Sequence, residues 1–591
     1  MGRPGPRPRP RPGPRAEPGR PPRQRRTAPG RRPGAHERER GAATLRTIAR
    51  HGGAWLPLIG LASLAGTASD LALPAVLGRA VDAIVAGAGS AGGARWMEFS
   101  AALIVLSVAC DLVVAYASTV CVADTTAWLR RRLVRHLLAI GPRGGFETGD
   151  SVSRVTANAA DAALAGPSLL SVVTGVLPPI GSLVLLALID PWLAGAFLAG
   201  LTLVAVMLRA FARRTADVLI RYQRVQGRIA ALLAESLSGV RTIAAAGTLE
   251  RETGRVLEPL PRLREHGART WRVLSRASAQ AGIVGPLVQV AVLAAGGLAL
   301  GYGRITAGDL FAASRYAAMG AGLGALTGVI GQLARARAGA RRTGEVLDVA
   351  APGYGAEAPP EGPGTLRFRA VSAREGEVTL LDSVDLTVPG GAAVAVVGRS
   401  GAGKSVLAAL AARLREPDEG EVYLDGVPLW RLDQGALRAA ISCAFERPVL
   451  VGERIVDAVG LGQDLVSVRA AARATHAHDF VSRLPLGYDT PLAEAPMSGG
   501  EYQRLGLARA WRAGRVLILD DATSSVDIVT EMQISRTLTE DHGRRTRLIV
   551  THRPATAARA DLVVWLEAGR VRAVGRHEVL WDDARYRAVF Q

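Results

Sequence analysis

Gly398-Arg399-Ser400-Gly401-Ala402-Gly403-Lys404-Ser405 decides how the C-terminal part of this 591-residue chain folds. The stretch satisfies the phosphate-loop pattern G-x-x-x-x-G-K-[ST] in full. Lys404 is the only lysine in the sequence; every other strongly basic side chain is arginine. A compact ammonium on a flexible stem reaches between β- and γ-phosphates, where a planar guanidinium fits poorly. The apolar run Ala393-Val394-Ala395-Val396-Val397 ahead of the loop reads as a buried strand. Val406-Leu407-Ala408-Ala409-Leu410 after it reads as a helix, so the strand–loop–helix setting is complete. Backbone N–H groups between the glycines and the helix N-terminus would cradle phosphates, and Ser405 would offer its hydroxyl to Mg²⁺. The stretch predicts a nucleoside triphosphate site.

A second strand serves the same site. Arg515-Val516-Leu517-Ile518-Leu519-Asp520-Asp521 is four apolar residues ending in two acids. It predicts a buried strand that delivers Asp520 to Mg²⁺ and places Asp521 to orient an attacking water.

Composition sets the wider frame. Hydrophobic residues make up 49% of the chain beside 21% charged ones, with mean hydropathy +0.18. That combination suggests a part-membrane, part-soluble protein of more than one domain. Cys110, Cys121 and Cys443 form no close-spaced pair, so neither a disulfide framework nor a zinc site is indicated. A formal net charge of +20 raises nucleic-acid binding as a class. Location argues against it, because much of the excess sits near the N-terminus and in loops beside apolar segments.

Residues 1–42 are rich in Arg, Pro and Gly, and read as a disordered cytoplasmic tail with no signal-peptide core. Residues 43–345 read as a membrane domain. Its apolar stretches, near 54–77, 99–123, 169–189, 192–208, 279–300 and 310–333, are each about the length of a bilayer-spanning helix. Arg130, Arg131, Arg132 and Arg135 follow the second stretch, and Arg209, Arg213 and Arg214 the fourth. By the positive-inside tendency both termini are cytoplasmic. The two long cytoplasmic connections read as helical extensions of the spans. Asp70 and Arg315 sit at similar depth and invite pairing, while Asp111 lies nearer the middle of its span. Pro178-Pro179 and Pro286 suggest kinks, and Gly320, Gly322 and Gly324 suggest close packing or bending. Residues 346–363, rich in Pro and Gly, read as a linker, and 364–591 as a soluble α/β domain.

Between the two nucleotide strands lies Met497-Ser498-Gly499-Gly500-Glu501-Tyr502-Gln503-Arg504. With it the chain resembles an ATP-binding cassette (ABC) exporter half-transporter: a six-span helical bundle fused ahead of an α/β P-loop NTPase cassette. Ser498-Gly499-Gly500-Glu501 resembles the family signature, which usually ends in glutamine. Thr148-Gly149-Asp150, Ser153-Arg154 and Asp161 resemble the first intracellular coupling region. Glu235, Gly239-Val240-Arg241-Thr242 and Gly247 resemble the second. Leu424-Asp425-Gly426, Ser524-Ser525-Val526-Asp527 and Thr551-His552-Arg553 fall where the family has its Asp-Gly turn, D-loop and switch histidine.

The resemblance implies ATP and Mg²⁺ as cofactors. It implies a second half-transporter as partner, with the signature of one cassette completing the ATP site of the other. A plasma-membrane location, contact with membrane lipid and an unknown exported substrate follow from it, and no nucleic acid. His552 would contact the γ-phosphate and the attacking water. Around the chain's own nucleotide, three positions depart from the family pattern. Asp521 stands where a glutamate is usual, Glu446 where the Q-loop glutamine is usual, and Glu375 where an aromatic ring usually stacks on adenine. Displacing a carboxylate by about 1 Å costs on the order of a hundredfold in rate. The expectation is therefore a heterodimer subunit whose own site hydrolyses ATP slowly. The alternatives are a homodimeric exporter with a slow ATPase, or an ATP-gated regulator or scaffold without transport.

Overall fold

The computed structural model describes residues 47–86, 90–141, 145–320, 324–511, 514–540 and 545–591. The N-terminal tail expected over 1–42 and the expected bend at Gly322 lie outside them. The chain divides into two compact units, Met1–Val134 with Glu147–Asp348, and Arg135–Phe146 with Val349–Gln591.

The first unit is helical. Its main elements are α1 (Trp55–Val85), α2 (Ser90–Ile140), the broken run α3 (Thr148–Ile189), α4 (Pro191–Ser238), α5 (Leu260–Gly301), α6 (Ala307–Gly320) and α7 (Gly324–Leu347). Among the described residues, α1, α3 and most of α2 (Ala94–Ile140) are long and apolar enough to cross a membrane. The apolar parts of α4 and α5, Pro191–Leu203 and Gly285–Gly301, are shorter. Each continues as helix well beyond its apolar part, because no proline or capping residue interrupts Leu208–Ser238 and the polar residues keep helical spacing. Pro178 and Pro179 stand near the start of a new helical segment after a break at Val176, which suits a residue without an N–H. Pro286 lies inside α5, which runs on through it.

Helices α1 and α6 approach closely where two glycines meet. A Cβ on Gly308 would lie 2.0 Å from the Gly78 carbonyl oxygen, so neither position admits a side chain. Asp82 then accepts hydrogen bonds from Thr306 Oγ1 and the Gly308 N–H, both at 2.7 Å. Asp190 is buried, caps α4 through the Trp192 N–H at 2.8 Å and pairs with Arg304 at 2.8 Å. Asp70 accepts a 2.6 Å bond from Ser107 Oγ, and no ion pair with Arg315 exists among the described residues. The expected Asp70–Arg315 pair is thus corrected. Depth along a helix does not fix rotation about it, and α6 turns Tyr316 toward α1, where its hydroxyl donates to the Leu71 carbonyl at 2.9 Å.

In the second unit, β3 (Ala393–Val397) sits in a six-stranded sheet of order β10-β9-β3-β8-β7-β6. The others are β6 (Ile441–Phe445), β7 (Val516–Asp520), β8 (Thr546–Val550), β9 (Leu562–Glu567) and β10 (Arg570–Gly575). The five strands from β9 to β6 run parallel and β10 is antiparallel. A four-stranded antiparallel sheet, β2-β1-β4-β5, packs beside it. It consists of β1 (Leu366–Glu375), β2 (Val378–Val388), β4 (Glu419–Leu424) and β5 (Val427–Pro428). Buried Leu366, Phe368, Val394, Val396, Leu407 and Ile518 share one core between the sheets. The segment read as a linker is strapped to this unit. Arg413 lies over the Tyr354 ring at 4.4 Å and bonds the Gly353 carbonyl at 2.5 Å, and Glu357 bridges to Leu432. Its Pro and Gly content set the turns, but Tyr354 supplied an apolar face to bury.

Candidate nucleotide-binding site

Strand β3 is buried on both faces and feeds the phosphate loop at the C-terminal edge of the parallel sheet. The loop leads into α8 (Lys404–Ala411). Gly403 has φ +96°, and a Cβ there would lie 2.6 Å from Leu381 Cδ2, so glycine is required on both counts. Arg399, Ser400 and Gly401 are exposed, Ala402 is buried, and Gly403 and Val406 are half-buried at the loop base. Lys404 curls back, its ammonium donating to the carbonyls of Gly398 (2.8 Å) and Arg399 (3.2 Å).

The neighbouring strands bring the acids to the same edge. Register pairs Ser442 with Leu517 and Phe445 with Asp520, so Glu446 and Asp521 leave β6 and β7 side by side. Ser405 Oγ donates to Asp520 Oδ1 at 3.0 Å. Burial pushes the Asp520 carboxyl above its ordinary value, and Asp521 and Glu446 push the same way; the Ser405 bond and Lys404 oppose them. A hydroxyl and a carboxylate in contact are hard oxygen donors suited to Mg²⁺, and the crowded, buried acid is short of positive charge. The described residues contain no group of three or more His, Cys, Asp or Glu poised to hold a metal. Ser405 and Asp520 are the oxygen donors that would hold a magnesium ion here.

Asp521 adopts φ +48°, left-handed for a residue with a side chain. Its N–H donates to the Val550 carbonyl at 3.2 Å, and Oδ1 lies 3.0 Å from His552 Nδ1. A carboxylate facing this nitrogen accepts, so the contact places the proton on Nδ1 and turns Nε2 away from Asp521. The Glu446 side chain makes no hydrogen bond or ion pair among the described residues, although its carbonyl is used.

That carbonyl leads to a residue the sequence reading quoted without giving it a role. Gln503 is 2% exposed. Its Nε2 donates to the Glu446 carbonyl and Ser524 Oγ, both at 3.0 Å, and its Oε1 accepts from the Ser525 N–H at 2.8 Å. One buried amide thus fixes the Glu446 segment against the turn after β7. A glutamine among apolar helix positions was the available signal, since a buried amide must find partners.

The signature opens α9 (Gly499–Ala510). Ser498 is its N-cap, and Glu501 accepts from the Ser498 N–H and hydroxyl, each at 2.8 Å. Burial disfavours the Glu501 charge, but these bonds and Arg504 outweigh it and hold the carboxyl below its ordinary value. Gly499 is exposed in the first turn, and Gly500 is half-buried, where a Cβ would lie 3.0 Å from the Ser525 carbonyl oxygen. Asp527 caps the helix Ile528–Glu540 through the Thr530 N–H at 2.9 Å. Among the described residues, no hydrogen bond or ion pair joins Ser498–Glu501 or Asp527 to the phosphate loop. Glu375 ends β1, exposed, before the turn at Gly376. On β6, burial pushes the Cys443 thiol up to about 12, so it stays protonated and inert beside the site.

Comparison with known proteins bears on both units. Residues 56–320 match the family model described as "ABC transporter transmembrane region", and 381–524 the one described as "ABC transporter". The chain is 48% identical over 540 residues to the "ABC transporter ATP-binding protein RamA" of Streptomyces coelicolor, covering 90% of this chain and 84% of that protein. It is 31% identical over 485 residues to an "ATP-dependent lipid A-core flippase" of Chromobacterium violaceum, covering 78% and 82%. The fold is similar to that of a bacterial Atm1-family ABC exporter solved with ATP bound. There the TM-score is 0.73 at 24% identity, over 94% of this chain and 98% of that one.

Proposed function

We propose, from the premise that this chain belongs to the ABC transporter family, that it is the degenerate-site subunit of a heterodimeric exporter. Membrane region and ATP-binding domain are fused in one chain, a half-transporter architecture, and ABC exporters of this type function as dimers. The membrane helices lie in the cell membrane with both termini cytoplasmic, as the arginine-rich connections support.

One observation carries the reading: the acid following Asp520 is an aspartate already held by His552 at 3.0 Å. In the member's own site Gly398–Ser405 would wrap the phosphates, with Lys404 transferring its bonds from loop carbonyls to phosphate oxygens. Ser405 and Asp520 would hold magnesium, which when bound neutralises charge on the phosphates. The water-orienting carboxylate is then one methylene shorter than the usual glutamate, a shortfall of about 1 Å costing on the order of a hundredfold in rate. The proton on Nδ1 leaves Nε2 unable to donate to a γ-phosphate unless the ring is doubly protonated. Glu446 adds a further negative charge at the same edge. The signature differs in condition. Its N-cap is formed, and the N–H groups of Gly499 and Gly500 at the start of α9 make an anion site for a γ-phosphate held by a partner cassette.

Steady-state ATPase of the purified full chain tests the reading. The wild type alone should hydrolyse ATP slowly, and Asp521→Glu should raise the rate by about tenfold or more. Brisk magnesium-dependent hydrolysis by the wild type, unchanged in Asp521→Glu, would overturn it.

A further inference from the structure

Helix α6 carries two charges, and only one is used. Asp309 accepts from the Thr306 N–H at 3.0 Å in the first turn. Arg315, about 9 Å further along by the helical rise, makes no hydrogen bond or ion pair among the described residues. Its orientation is fixed by the opposite face, where Gly308, Ala312, Ala313, Tyr316 and Ala317 are buried. The glycine contact with α1 and the Tyr316–Leu71 bond leave no freedom to rotate. Arg315 therefore projects from an exposed stripe with Phe311, one turn before it, and Ala318.

The acids packed around α6 are already engaged. Asp70 holds Ser107, Asp82 holds Thr306 and Gly308, and Asp190 holds Arg304. Arg315 lies within residues 56–320, the matched transmembrane region; an unpaired guanidinium in hydrocarbon is costly, and intramembrane arginines face cavities or ligands. Its fork matches carboxylate and phosphate oxygens, and Phe311 beside it offers an apolar surface. We propose that Arg315 is a substrate-binding residue that anchors the anionic headgroup, carboxylate or phosphate, of an amphipathic molecule moved by this transporter. The assignment rests on the exporter reading above, but its test uses no nucleotide and so fails or succeeds separately.

The probe is octyl phosphate, titrated calorimetrically into the full chain in phosphatidylcholine nanodiscs and referenced to empty discs, with octyltrimethylammonium as the cationic control. Arg315→Gln should weaken octyl phosphate binding about tenfold, Arg315→Lys should retain it within about threefold, and neither should change the control. Asp111, exposed on α2 and without a partner among the described residues, is the competing explanation, as a salt-bridge partner of Arg315 across a chain–chain contact. Asp111→Asn should leave probe affinity unchanged or tighter. Unchanged affinity in Arg315→Gln, or the same loss in Asp111→Asn, would overturn the proposal. Phosphatidylglycerol added to the discs should not compete; full competition would make the occupant a resident lipid and overturn the assignment to cargo.

Discussion

The helical unit and the hydrolytic edge of the cassette treat acidic side chains in opposite ways. In the helical unit Asp70, Asp82 and Asp190 each hold donors from another helix or helix end. Nearer α7, buried Arg154 joins Asp150 at 2.7 Å, Glu345 at 2.8 Å and the Arg342 carbonyl. At the sheet edge Asp520, Asp521 and Glu446 crowd together, with a serine, a histidine and one distant ammonium to offset them. Charges satisfied inside the protein hold its shape. Charges left short of partners, as at this edge and at Arg315, mark where something from outside is to bind.

The largest effect should come from breaking a satisfied cluster. Arg154→Leu removes the cation that Asp150 and Glu345 share, leaving Asp150 only its 3.0 Å pair with Arg342, in a setting where the Arg154 side chain is 8% exposed. Removing one partner of a buried pair costs about 3 kcal/mol. Thermal unfolding of the detergent-solubilised chain should show a clear fall in Tm, and an unchanged Tm would mean the cluster adds little. At the crowded edge the sign should reverse. Glu446→Gln removes a charge that no described residue pairs, so ATP affinity should tighten about fivefold with no loss of Tm. Weaker binding in equilibrium titration would show that Glu446 is needed there.

The smallest effect concerns a group outside both regions. Burial holds His577 below its ordinary value, against the opposing pull of Glu578, while Nδ1 meets the Tyr586 hydroxyl at 2.8 Å. A histidine depressed on folding stabilises the fold above its unfolded value near 6.5, and that contribution fades as pH falls through the folded one. Protection factors over residues 577–590, with the intrinsic pH dependence of exchange divided out, should fall as pH drops below about 6.5, and His577→Phe should lose that dependence.

The phosphate loop and the acids after β7 were legible because each motif is local, a few residues whose spacing alone fixes the geometry. Gln503 was not, because its partners, Glu446 and Ser524–Ser525, come from segments remote in sequence that only the sheet register brings together. Asp70 and Arg315 were misjudged for a related reason. Hydropathy gives depth, but the small residues Gly78, Gly308 and Ala312 decide which face of α6 is buried. The strapped segment around Tyr354 looked loose because its composition resembles a linker, and the Arg413 contact that holds it lies sixty residues on. The arginine pattern that gave the orientation of the termini includes Arg209, Arg213 and Arg214, whose side chains lie outside the described ones.

The central claim is that this chain's own site takes up ATP and keeps it. The most direct measurement incubates the full chain with α-labelled ATP and magnesium, removes free nucleotide and separates what remains bound by thin-layer chromatography. The bound label should be recovered mostly as intact ATP in the wild type, and mostly as ADP once Asp521 is changed to Glu. Bound nucleotide already converted to ADP in the wild type, as fast as in Asp521→Glu, would contradict it.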